Sequence, residues 1–132
     1  MQIVKVNKSH EEPLFAYIQE KEHEYFLLAM DYKLNPDNNH LFIAIDQNQK
    51  IHGLFQVLFG QIQVRGSIEA VQTFLNYAKE QEIEIRELTA MILHQDFLST
   101  YFSTPITKVH KYRMIFLKGM RILLTHKMNI KD

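Results

Sequence analysis

Between Gln61 and Leu93 the chain alternates, turns a corner, coils and then runs apolar, and this succession constrains the fold more than any other stretch. Ile62 and Val64 point one way and Gln61, Gln63 and Arg65 the other, the period-two pattern of a strand with one buried face. From Ser67 to about Gln81, Ile68, Val71, Phe74, Leu75 and Ala78 make one apolar stripe, with Glu69, Gln72, Asn76 and Lys79 opposite. Leu88 to Leu93 reads as a buried strand. Strand, helix and strand form a βαβ unit, so the two strands are expected to lie parallel in an otherwise antiparallel sheet.

The flanking segments complete a layered α+β pattern. Residues 2–7 alternate as a short strand, and Ser9 with Glu12 predicts a capping box opening a helix that turns Leu14, Phe15, Tyr17 and Ile18 inward. Pro13 falls in its first turn, where it is tolerated. A second helix is predicted from about Glu22 to Leu34, with Phe26, Leu27, Met30 and Leu34 at roughly helical spacing, ended by Asn35-Pro36-Asp37-Asn38-Asn39. Leu41–Ile45 and Ile51–Leu58 form a hairpin about the polar turn Asp46–Lys50, and Gly60 breaks the run before Gln61. His94 to Phe102 reads as a short helix and Tyr112 to Leu117 as a closing strand. The predicted order is βααβββαβαβ, giving a mixed, mainly antiparallel central sheet flanked by helices.

The corner Arg65-Gly66-Ser67 carries the chemical interest. Free amides at a helix start, with about half a unit of positive charge from the helix dipole, can hold an anion. Gly66 permits close backbone approach, Ser67 is an N-cap by type, and Arg65 brings a fixed cation. The same residues also read as an ordinary strand-to-helix turn.

Composition narrows the classes. A chain of 132 residues that is 46% hydrophobic is of a size for one domain and can close a core without staples. It has no cysteine, which removes disulfides, thiol chemistry and cysteine-based zinc sites and fits a cytoplasmic setting. The N-terminus lacks a signal peptide's apolar core, and no apolar run approaches the roughly 20 residues of a membrane span. Fifteen basic and fifteen acidic side chains leave no net charge, which argues against a nucleic-acid binder. The charge is uneven: residues 1–102 carry eight bases and fourteen acids, residues 103–132 seven bases and one acid. That asymmetry reads first as internal complementarity, and otherwise as a feature serving an anionic ligand or a partner.

The element order from Ile3 to Lys118 resembles the GNAT superfamily of acyl-CoA N-acyltransferases. Three segments carry the likeness. Ile43-Ala44-Ile45-Asp46-Gln47-Asn48-Gln49-Lys50-Ile51-His52-Gly53 is similar to the family's central hairpin. Val64-Arg65-Gly66-Ser67-Ile68-Glu69-Ala70 is similar to its pyrophosphate loop and following helix, although only Gly66 of the loop glycines is present, the loop is about two residues short, and Glu69 sets a carboxylate in the first turn. In Leu88 to Phe102, Tyr101 stands seven residues after His94, as the family's tyrosine stands after its asparagine, with His94 at the asparagine position.

The resemblance implies a domain over residues 1–118 that binds acetyl-CoA or another acyl-CoA through Gln63, Val64, Arg65, Gly66, Ser67, Ile68 and His94, and passes the acyl group to an amine. Strand amides near Gln63 and Val64 would polarise the thioester, and Tyr101 would protonate the departing thiolate, a task suited to a phenol of pKa near 10. A surface tyrosine packed on the sheet is the plainer reading of Tyr101. The likeness extends to the half-domains that precede catalytic domains in two-lobed GNAT proteins, which implies the alternative of a non-catalytic module for dimerisation or docking. Residues 119–132 form a C-terminal extension whose apolar Ile122, Leu123 and Leu124 suggest an extra strand pairing with another subunit or lobe.

The remaining constellations are weaker. Seven histidines, His10, His23, His40, His52, His94, His110 and His126, show no metal-ligand spacing, and no metal is expected. No Gly-x-Ser-x-Gly elbow occurs. Glu22, Glu24, Asp31 and His52 are general bases by type alone, and the acidic run Glu20, Glu22, Glu24 is either a solvated face or an attractor for a cationic amine.

Overall fold

A computed structural model describes residues 1–21, 23–34, 40–103, 112–117 and 120–125. The predicted turn Asn35–Asn39, together with Glu22, His110 and His126, lies outside the described residues. The elements are β1 (Gln2–Lys5), α1 (Glu11–Ile18), α2 (His23–Leu34), β2 (His40–Ile45), β3 (Ile51–Leu58), β4 (Gln61–Gly66), α3 (Ile68–Glu80), β5 (Glu87–Met91), α4 (Gln95–Tyr101), β6 (Tyr112–Leu117) and β7 (Met120–Thr125). The strands form one sheet in the order β1-β2-β3-β4-β5-β7-β6. The architecture is α+β and mainly antiparallel, with β4 and β5 parallel as the βαβ pattern requires.

The alternation of β2 explains the layers. Leu41, Ile43 and Ile45 point to the face covered by α1 and α2, where they meet Leu14, Ile18, Tyr25, Leu28 and Leu54. Phe42 and Ala44 point to the opposite face, with Phe55, Ile62, Val64, Leu88 and Ala90, under α3 and Leu98 of α4. The apolar stripe of α3 sinks into this second layer, and the Phe74 ring stacks on Phe55 with centroids 4.4 Å apart. Between β3 and β4, Phe59 and Gly60 both have positive φ, the signature of a two-residue turn whose twist matches the strands.

Four expectations are corrected. On α2 the residues at helical spacing, Phe26, Leu27 and Leu34, are exposed, and Tyr25, Leu28 and Ala29 take the buried face. The capping residue before α1 is Asn7, whose side chain accepts from the Ser9 amide at 2.9 Å while His10 Nδ1 accepts from the Asn7 amide at 3.0 Å. A three-residue 3-10 turn, Lys8–His10, therefore precedes α1. The fifth strand ends at Met91 instead of Leu93, because Ile92–His94 also tighten into a 3-10 turn. Met120–Thr125 is a strand, but β5 holds one of its edges and β6 the other, so it offers no free edge to a second subunit. Its pairing with β5 is parallel, a second parallel contact that was not foreseen. The side chains of β6 and β7, and most of the basic segment that contains them, lie outside the described residues.

Candidate functional site

β4 and β5 share a ladder only from Gln61 opposite Glu87 to Gln63 opposite Thr89. Beyond it, β4 stays with β3 as far as Gly66 opposite Gly53, and β5 stays with β7 as far as Met91 opposite Thr125. The two strands thus end on either side of a gap at their C-terminal ends, the place where open α/β sheets accept ligands.

One side of the gap is the Gly66 corner. Gly66 has φ +125°, and a Cβ there would stand 2.4 Å from the His52 carbonyl oxygen and 2.5 Å from Gly53 Cα. The glycine is required by the close passage of β3. The Ser67 amide donates to the same His52 oxygen at 3.0 Å, and Ser67 Oγ accepts from the Ala70 amide at 3.1 Å as the N-cap of α3. Strand passes to helix with one capping residue and no loop between. Of the amides at this helix start, those of Ile68 and Glu69 are left without an intrahelical acceptor, and the exposed Glu69 carboxylate stands in the same turn.

Arg65 is buried in the sheet. It is 3% exposed, its Nη1 donates to its own strand at Val64 O (2.9 Å) and its Nη2 to Gln63 Oε1 (3.2 Å), while Gln63 Nε2 donates to Gln56 Oε1 (3.2 Å). These side chains form a polar row on the α1–α2 face of the sheet, and Val64 points into the opposite core.

His94 joins the two sides. Its ring is fully buried, Nδ1 accepts from the Met91 amide at 3.3 Å and Nε2 meets Gly66 O at 2.8 Å. A carbonyl can only accept and an amide can only donate, so the partners assign the neutral tautomer with hydrogen on Nε2. Burial pushes the His94 pKa down from its ordinary 6.5, the Arg65 cation adds to that, and the bond to Gly66 opposes it. The His94 ring thus bridges the backbone of β4 to that of β5.

Tyr101 is placed away from this junction. Its hydroxyl donates to Asn76 Oδ1 of α3 at 3.0 Å, its ring packs against Phe97 and Phe102, and burial raises its pKa. The junction opens on the other side into a groove of about 860 Å³, walled by Tyr17, Lys21 and Tyr25 from the first helical pair, by His52, and by Ser67 and Met91. Tyr101 is not among its lining residues.

The groove contains one arrangement that sequence reading did not distinguish. Ala44 faces Gly53 and Ile45 faces Ile51, so His52 is an extra residue in β3, a bulge that re-aims its side chain. His52 Nε2 lies 2.8 Å from Asp46 Oδ2, while Asp46 Oδ1 accepts from the amides of Asn48 (2.8 Å) and Lys50 (3.0 Å). The bond to His52, then that from Lys50, hold the Asp46 carboxyl at about 2. His52 Nδ1 has no partner among the described residues. Of the other acid–base candidates, Glu22 and the Glu24 side chain lie outside the described residues, and Asp31 does not line the groove. The available signal was an Asp at the head of the polar turn and a His just beyond it; the bulge that brings them together leaves no mark in composition.

No family model matches the sequence, and no curated protein does. Solved structures do. A probable acetyltransferase superposes with a TM-score of 0.51 over 89% of this chain and 97% of its own, at 14% identity. An acetyltransferase of the GNAT family from Staphylococcus aureus Mu50 aligns over 86% of this chain and 84% of its own, at 17% identity and a TM-score of 0.43. The fold of this chain is GNAT-like. No helix among the described residues is long and apolar enough to cross a membrane.

Proposed function

We propose that this chain is a GNAT-like module that does not turn over acyl-CoA and serves to dock a partner domain, either a second copy or a second lobe of the same fold. The observation that carries the reading is the His94 ring between Gly66 O and Met91 N, lying across the gap that an acyl thioester would have to enter. The Gly66 corner supports it, because the Ser67 amide is already engaged and the strand meets the helix without the loop that would supply further donors. Docking is supported by α2, which buries Tyr25, Leu28 and Ala29 yet leaves Phe26, Leu27 and Leu34 exposed at 44%, 48% and 78%. The test is thermal melting with and without millimolar acetyl-CoA at neutral pH. The module reading expects no change, whereas stabilisation of roughly 1 kcal/mol or more, the effect of a dissociation constant of a few hundred micromolar or tighter, overturns it.

A second reading is favoured by the Asp46–His52 pair, whose histidine lines the groove. In it the chain transfers an acyl group from acyl-CoA to an amine in the cytoplasm, with the phosphates on the amides of Ile68 and Glu69, His52 taking the amine proton and water protonating the departing thiolate, since Tyr101 does not line the groove. Thiol release from acetyl-CoA across a panel of amines tests it. Release that is sharply reduced by His52→Gln establishes this reading, and its absence with every amine removes it.

A further inference from the structure

We propose that His94 is a latch across the β4–β5 gap that holds while its ring is neutral and lets go when the ring is protonated, so that acidification widens the inner wall of the groove. The proposal rests on the closed gap of the module reading and adds the condition under which it opens.

The donor and acceptor pattern carries it. Beyond Gln63 and Thr89 the strand ladder has ended, and His94 supplies a bond to the end of each strand. Nδ1 can accept from the Met91 amide only while it is unprotonated. A proton on Nδ1 would set donor against donor in a site closed to water, where an unmet amide is costly and a charge more so. The latch therefore has one protonation state that fits.

The surrounding charges point the same way. From β4, Arg65 places a buried cation whose field disfavours a second charge on the ring. From β5 the contact is the Met91 backbone, with Glu87 at the far end of the strand. Asp96 of α4 and Glu69 of α3 are exposed, where water screens them, and α2 brings the Tyr25 hydroxyl, 3.9 Å from Met91 Sδ. No carboxylate among these is buried against the ring to hold an added proton. Gly66, Ser67, Met91 and Leu93, the residues around both bonds, line the groove, so release of the ring changes the groove itself.

The experiment is nuclear magnetic resonance on the full isotopically labelled chain, following the His94 ring nitrogens and amide hydrogen exchange. On going from about pH 7.5 to about pH 5, the Met91 amide is expected to lose protection by about tenfold or more beyond any loss in the central strands β2 and β3, in step with protonation of the ring. His94→Gln, which keeps a donor and an acceptor but does not titrate, is expected to show no such local step. A ring that protonates while Met91 keeps its protection overturns the latch, as does a ring that stays neutral until the whole chain unfolds. Both outcomes are read in the wild-type chain, so they stand even if the variant fails to fold. Acetyl-CoA is absent throughout, and stabilisation by it at neutral pH would instead remove the closed-gap reading on which the latch rests.

Discussion

Gly66 shows what a single residue's backbone freedom is used for in this fold. A glycine after an alternating strand and before a capping serine implies close approach of something to the backbone, and here the His52 carbonyl and Gly53 approach it. Gly66→Ala is expected to destabilise the fold by about 3 kcal/mol or more, through positive φ and the clash with β3 together, as measured by urea denaturation. His94 sets an acid-side dependence. Because its folded pKa lies below the ordinary 6.5, the unfolded chain binds a proton that the folded chain refuses between those two values, so stability falls as pH drops through that window and levels off beneath it. Denaturation curves across that range are expected to flatten in His94→Gln. Asp46 acts lower down: with its pKa held at about 2 against an ordinary 3.8, its contribution is complete above the ordinary value and is lost as pH falls toward about 2.

At the scale of elements, α3 was the most legible part of the chain, and α4 was legible as a helix but not in its contacts. The 3.6-residue stripe of α3 and its serine cap appear in the structure where the pattern places them. Removing the cap by Ser67→Ala is expected to lower stability by about 1 kcal/mol, and Ser67→Gly by only a few tenths, in the same denaturation measurement. Tyr101 was placed correctly on its helix, but nothing in a seven-residue spacing says which neighbour its hydroxyl will meet. That neighbour is Asn76, and Tyr101→Phe is expected to cost no more than about 1 kcal/mol, the worth of a single partly exposed hydrogen bond. The end of β5 escaped sequence reading for a similar reason. Ile92 and Leu93 continue an apolar run, and the 3-10 turn that lifts them out of the strand serves His94, a residue whose burial no local period could reveal.

For the whole molecule the open matter is what α2 faces. A helix apolar on both sides is expected at a buried position, and Phe26, Leu27 and Leu34 stand outward instead. If that face docks a second copy, light scattering after size exclusion is expected to show a dimer in the wild type and a monomer in Leu27→Lys/Leu34→Lys, with folding stability changed by no more than about 0.5 kcal/mol. A wild type that is monomeric at all concentrations would direct the search to a partner of another sequence. The place of β7 belongs to this scale too. Its apolar run announced a strand, while its insertion between β5 and β6 is a matter of pairing across the sheet that no local period records.

The order of strands and helices, the parallel βαβ unit and the two apolar faces of β2 were determined by sequence alone, because period and turn chemistry are local and survive without knowledge of the partner. The bridge of His94 between β4 and β5, the bond of Arg65 to its own strand and the meeting of Asp46 with His52 were decided by tertiary structure. Each depends on where a donor finds its acceptor across strands distant in the chain, and burial enforces that match without leaving a period in the sequence.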